Sequence, residues 1–226
     1  MNEKTECIAI IGGTGALGNG LARRLAHAGY RVVIGSRDAE KAKSAARSIT
    51  DDIPTSQVSG NTLTGAAQDG DMIFLAVPFG SHRETLEMLK PYVQNKLLVD
   101  ATVPLVPPKV MRVQLPAEGA AALIAQSILG EGVEVVSALQ NVGARHLPDL
   151  DHEIDCDVLV CGDKREARGR VIQVLADCGL RGFHAGSLAN AAAAEALTSL
   201  LIFMNKHYNT DRAGIRLTNI DPEAQA

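Results

Sequence analysis

Aromatic side chains are scarce in this chain of 226 residues, with three tyrosines, four phenylalanines and no tryptophan. A nucleic-acid surface stacks bases on aromatic rings and covers phosphates with basic residues. A chain this poor in rings, with a formal net charge of −4, offers neither, and no nucleic-acid partner is expected. Long apolar stretches are missing too: no uninterrupted run of 18 apolar residues reads as a membrane span. Residues 1–6 are polar and the apolar run after them, Cys7–Ile11, is too short for a secretory core. Cysteine is thin and unpatterned. Cys7, Cys156, Cys161 and Cys178 form no C-x-x-C pair and read as buried free thiols of a cytoplasmic protein.

Acid–base machinery is also lacking. The six histidines are scattered, without H-E-x-x-H or a metal-ligand cluster, and His146, His152 and His184 read as loop or surface residues. Tyr92 and Lys96 have the Y-x-x-x-K spacing of short-chain dehydrogenases. Pro91 precedes them, however, and they enter a strand instead of lying in a long helix, so the spacing reads as chance. The alanine-rich helix near the carboxyl end has no early lysine of the kind a β-hydroxyacid dehydrogenase uses.

What is present is aliphatic and alternating. Hydrophobic residues make up 46% of the chain, enough to bury a core. Apolar runs at 7–11, 31–35, 72–77 and 97–101 alternate with amphipathic stretches at 17–28, 38–49 and 81–89, and a shorter strand and helix fall within 58–68. Unbroken runs such as Ile73-Phe74-Leu75-Ala76-Val77 suit strands covered on both faces. The pattern predicts an α/β fold, a Rossmann-type doubly wound parallel sheet. A proline-rich loop then leads to a helix over 117–129, strands at 133–139, 157–161 and 180–184, and helices over 164–177 and from 189 to about 207; the last six residues read as frayed. The division expected is a dinucleotide-binding domain over 1–130 and a small C-terminal α/β domain over 131–226 that closes the substrate cleft.

Twenty-one glycines are present, and five of them, Gly12, Gly13, Gly15, Gly18 and Gly20, crowd what reads as one turn. Gly13-Thr14-Gly15-Ala16-Leu17-Gly18 is G-x-G-x-x-G directly after the first strand. Its first glycine permits the tight turn, its second lets the backbone approach a pyrophosphate, and its third lets the helix pack on the strand. Free N–H groups and the dipole of the following helix favour phosphate. At the end of the second strand, where an NAD site places a carboxylate, stand Ser36 and Arg37, followed by Lys41 and Lys43. A hydroxyl and cations suit a 2′-phosphate, so NADP is favoured over NAD, although Asp38 and Glu40 also allow an ordinary charged helix start. Val77-Pro78 at the end of another strand would floor a nicotinamide pocket, with Thr102-Val103-Pro104 as a wall. Hydride transfer between two planar heterocycles needs no side-chain acid, only stacking, orientation and dryness.

The motif 11–20 with Gly35-Ser36-Arg37, the run Val135-Val136-Ser137-Ala138-Leu139, the stretch Cys161-Gly162-Asp163, Glu195-Ala196-Leu197-Thr198 and Gly214-Ile215-Arg216 together resemble the NADP-dependent reductases of coenzyme F420, the 8-hydroxy-5-deazaflavin. The resemblance spans nearly the whole chain. It implies an oxidoreductase that passes hydride between nicotinamide C4 and deazaflavin C5, with NADP as cofactor and F420 as the small-molecule partner. It implies that Thr14, Gly15, Ala16 and Leu17 hold the pyrophosphate, with Gly13 and Gly18 also cofactor-binding, and that Ser36, Arg37 and Lys41 hold the 2′-phosphate. Val77, Pro78, Leu105 and Ala144 would lie along the nicotinamide, and Gln140, Val142 and Thr198 beside the deazaflavin. Gln140 stands where the family pattern has a histidine, and Ala192 and Ala196 stand where it has an arginine and a serine; glutamine can still hydrogen-bond a ring carbonyl. Alternatives from other classes are an NADPH-dependent reductase of a flavin, quinone or imine, and a non-catalytic dinucleotide-binding module. A homodimer is expected by analogy with small dehydrogenases.

Overall fold

Every residue of Cys7–Ile11 (β1) is buried, because helices cover both faces of the sheet in which it is a central strand. The computed structural model describes residues 5–220; the end expected to fray, 221–226, lies outside them. After β1 come Ala16–His27 (α1), Arg31–Ser36 (β2), Ala39–Asp52 (α2), Gln57–Thr62 (β3), Leu63–Asp69 (α3), Met72–Leu75 (β4), Phe79–Leu89 (α4) and Leu97–Asp100 (β5). Ala121–Leu129 (α5), Glu134–Ser137 (β6), Asp157–Gly162 (β7), Arg165–Asp177 (α6), Arg181–His184 (β8) and Ala191–His207 (α7) complete the fold.

The eight strands stand in the order β3-β2-β1-β4-β5-β6-β7-β8. All neighbouring pairs are parallel except β6–β7, which is antiparallel. The sheet is thus a mostly parallel, doubly wound one, and the strand order reverses between β1 and β4. Ligands in such sheets bind outside the carboxyl ends of the strands at that reversal. The sheet also runs on across Gly130 without a break, since β6 pairs with β5 from Leu97↔Glu134 to Asp100↔Ser137.

Two apolar clusters line the two faces. One joins Leu21 and Leu25 of α1, Ala42 and Ile49 of α2, and Val171 and Leu175 of α6 to the sheet. The other joins Ala66 and Ala67 of α3, Leu86 and Leu89 of α4, and Ala122 and Ala125 of α5. All four cysteines are buried thiols outside any disulfide.

Several boundaries differ from the sequence reading for identifiable reasons. The helix expected over 117–129 starts at Ala121, because Ala120 is extended and Glu195 of α7 caps the new start. The strand expected over 133–139 ends at Ser137, two residues before Leu139 enters the left-handed region at φ 77°. Gly20 does not belong to the glycine turn. It lies within α1, where a Cβ would come 2.5 Å from the Leu147 Cβ, so its role is close packing of the 147–148 segment on the helix. The carboxyl helix also has more membrane-like composition than the sequence reading allowed: Leu188–His207 spans 20 residues with hydropathy 1.3. Buried Ala191, Ala194 and Glu195 set one side of it against the protein interior.

Candidate functional site

The carboxyl ends of β1, β2 and β4 and the outer side of α4 enclose a cleft of about 340 Å³. Gly12 sits at its base with φ 85°, and a Cβ there would collide with the Ala76 carbonyl. Gly18 is equally constrained, since a Cβ would meet the Gly12 oxygen at 2.6 Å and the Gly13 Cα at 2.8 Å. Gly15 makes only one near contact, at 3.3 Å, and faces the cleft. It precedes α1, which has neither a side-chain cap nor an acidic residue in its first turn. The first N–H groups of α1 are therefore left for an anionic ligand.

At the other end of the cleft, the two nearby carboxylates are already engaged. Asp38 caps α2, accepting from the Glu40 and Lys41 N–H groups at 3.0 and 3.2 Å, and Glu40 pairs with Lys43 at 2.9 Å. Arg37 and Lys41 line the cleft and have no ion-pair partner among the described residues. Ser36 is buried, its hydroxyl accepting from the Asp38 N–H at 3.2 Å. With Asp38 turned into a helix cap, Glu40 paired with Lys43, and Arg37 and Lys41 left without an ion pair among the described residues, this end suits a phosphate and not a bare ribose hydroxyl. The donors, the glycine cradle and the strand reversal together fit an NADP.

Of the residues predicted from sequence, Thr14, Gly15, Ser36, Arg37, Lys41, Val77 and Pro78 line this one cleft. Gly13 is buried, and Ala16, Leu17 and Gly18 form the first turn of α1; none of these four lines the cleft. β4 ends at Leu75, short of the strand expected over 72–77, so Val77 and Pro78 belong to the connection that enters α4. Leu105 and Ala144 are half-buried and do not line the cleft. Val142 is buried in the core cluster.

Gln140 is turned inward. Its Nε2 donates to the Asp100 carbonyl at 2.7 Å and to the Ser137 hydroxyl at 2.9 Å, while its Oε1 is buried without a partner. Thr198 donates its hydroxyl to the Gln140 carbonyl at 2.7 Å.

Two buried groups were given no role from sequence, the first unnoticed and the second seen only as part of the motif Glu195–Thr198. His82 and Asp100 are both 0% exposed and meet at 2.7 Å, Nε2 to Oδ2. Helical phase carries the signal for the first, since His82, Thr85, Leu86 and Leu89 fall on one buried face of α4. Glu195 is the second. Burial pushes its carboxyl up to about 7, against the lowering pull of the Ala121 and Ala122 N–H groups it caps.

This architecture defines a Rossmann-type dinucleotide-binding protein with an NADP-fitted cleft. The family model for coenzyme F420-dependent NADP oxidoreductases matches residues 7–104. The F420-dependent NADP reductase of Methanocaldococcus jannaschii is 38% identical over 222 residues, 95% of this chain and 99% of the relative. That of Methanothermobacter thermautotrophicus is 40% identical, covering 96% of this chain and 97% of the relative. The chain belongs to the F420-dependent NADP reductase family. Among solved structures, a candidate F420-dependent NADP reductase from Arthrobacter sp. fb24 superposes with a TM-score of 0.77 at 22% identity, over 95% of this chain and 100% of that one. A pyrroline-5-carboxylate reductase from Coxiella burnetii shares the fold, with a TM-score of 0.61 at 15% identity over 98% of this chain and 74% of that one.

Proposed function

We propose that this protein is an oxidoreductase that passes hydride directly between NADP(H) and coenzyme F420. The observation that carries the reading is the cleft itself, with free cations at the β2 end and Val77-Pro78 at the β4 end. Thr14, Gly15, Ala16, Leu17 and Gly18 hold the pyrophosphate, and Ser36, Arg37 and Lys41 hold the 2′-phosphate. Val77 and Pro78 orient the nicotinamide and keep water from it, and Leu105 and Ala144, outside the cleft lining, lie farther along the nicotinamide end. The nicotinamide supplies hydride chemistry at its C4, so the protein needs no side-chain acid at the reacting atoms. The described part of the C-terminal domain, residues 131–220, closes over the second ring, with Gln140, Val142 and Thr198 setting that wall.

Anaerobic mixing with NADPH and purified deazaflavin is expected to bleach the deazaflavin absorbance. Turnover of a free flavin without such bleaching would favour another acceptor, a reading supported by the inward turn of the Gln140 amide.

The protein works as a homodimer in the cytoplasm. Support for the dimer comes from an apolar face on α7 and the loop before α5, where Leu200, Phe203, Met204, Met111, Val113 and Leu115 are exposed. The Ser199 hydroxyl donates to the Arg112 carbonyl at 3.2 Å and joins the two parts of that face. Four reduced, buried thiols are in keeping with the cytoplasm.

A further inference from the structure

The His82–Asp100 pair is used by nothing in the site as described, yet it lies at the root of it. His82 stands in the first turn of α4, four residues after Pro78, with its ring 6.2 Å from that of Phe79. Asp100 is the last residue of β5. Its Oδ2 meets His82 Nε2 at 2.7 Å, and its Oδ1 accepts from the Thr102 N–H at 2.9 Å. The Thr102 hydroxyl in turn points at the Val77 carbonyl, 3.5 Å away. The Asp100 carbonyl accepts from Gln140 Nε2 and from the Ala138 N–H, at 2.7 and 3.2 Å. Gln140 is then tied through its own carbonyl to Thr198 of α7.

One polar chain thus runs beneath the carboxyl ends of β4, β5 and β6, from the segment flooring the nicotinamide to the turn facing the second ring. That turn holds Leu139 at φ 77°, a conformation a leucine keeps only where its surroundings impose it. Two features argue that stability alone does not account for the pair. A fully buried ionisable pair contributes little that a packed apolar pair would not. His82 also keeps its Nδ1 buried with no partner among the described residues, an arrangement that costs free energy.

We infer that His82 and Asp100 are positioning residues that hold the nicotinamide-facing segment at Val77 and the substrate-facing turn at Gln140 in register for hydride transfer. The inference rests on the proposed function, and its test separates the two. His82→Leu removes the bond to Asp100, and His82→Gln restores a donor at similar reach. Three quantities are measured for each variant: affinity for 2′,5′-ADP, anisotropy of nicotinamide fluorescence in bound NADPH, and the rate of deazaflavin reduction. The first probes the phosphate end alone, and the second needs no deazaflavin.

For His82→Leu, 2′,5′-ADP affinity is expected to stay within about 2-fold, because Arg37, Lys41 and the α1 start lie on other elements. The nicotinamide anisotropy is expected to fall, and the reduction rate to drop by roughly 10-fold or more. His82→Gln is expected to recover most of both. Parallel loss of 2′,5′-ADP affinity would mark a general structural role and overturn the inference, as would unchanged anisotropy. Should His82→Leu fail to fold, His82→Asn, too short to reach Asp100, is read by the same criteria. If the unaltered protein does not reduce the deazaflavin, the proposed function fails, while anisotropy and 2′,5′-ADP affinity still decide the role of His82.

Discussion

Arg37 and Lys41 are the two cations whose freedom distinguishes this cleft from an NAD site, because Asp38 and Glu40 are already bonded elsewhere. Arg37→Ala is expected to weaken NADP binding by roughly 10–100-fold, the worth of charge-assisted hydrogen bonds to a phosphate. NAD binding is expected to change little. Equal losses in titrations with the two nucleotides would remove the 2′-phosphate assignment. Sequence alone placed Arg37 at the end of β2 but left Asp38 as a competitor. The cap geometry supports Arg37, since a carboxylate one residue before a helix can face either the ribose or the helix N–H groups, and Asp38 faces the latter. His82 shows the opposite problem: it carries no motif, and its meaning depends on Asp100, which the β4–β5 pairing brings alongside α4 from 18 residues away.

Elements meet most informatively where α7 caps α5. The Glu195 carboxylate accepts from the Ala121 and Ala122 N–H groups at 2.7 and 3.1 Å, replacing a local cap that α5 lacks. Burial raises this carboxyl from 4.5 to about 7 in the folded protein. Between those limits the folded state keeps a proton that the unfolded chain releases, so stability falls as pH rises through that window and is level above it. The loss is on the order of 3 kcal/mol across the window. Glu195→Gln, which keeps an acceptor without a titration, is expected to flatten this slope in denaturant unfolding at pH 5 and pH 8; a slope unchanged by the substitution would assign it to other groups. Among the described residues, the seven α-helices and eight strands were legible as amphipathic stretches and apolar runs, including the strand and helix within 58–68. The start of α5 was not, because its cap comes from a residue more than seventy positions later.

For the molecule as a whole, Arg24 holds the two halves of the chain together. Its guanidinium is buried and donates to the carbonyls of Leu147, Asp149, His152 and Cys178 at 2.7–3.2 Å. Arg24→Met would leave four carbonyls without that donor and is expected to cost about 3 kcal/mol, lowering Tm by roughly 6–12 °C in thermal unfolding. The exposed apolar face on α7 belongs to the same scale. Phe203→Glu is expected to shift sedimentation toward monomer while leaving 2′,5′-ADP affinity unchanged; an unchanged sedimentation coefficient would remove the support this face gives to the proposed dimer. Scarcity of aromatic rings bears on the chemistry as well, since the rings of the two coenzymes must be held by backbone, valine, proline and alanine and stacked on each other. Direct ring-to-ring transfer is therefore the central claim, and deuterium tracing tests it most directly. With NADPH deuterated on the transferred C4 position, in ordinary water and without oxygen, the account predicts deuterium at C5 of the reduced deazaflavin. Reduced deazaflavin carrying solvent hydrogen at C5, or no reduction at all, would contradict it.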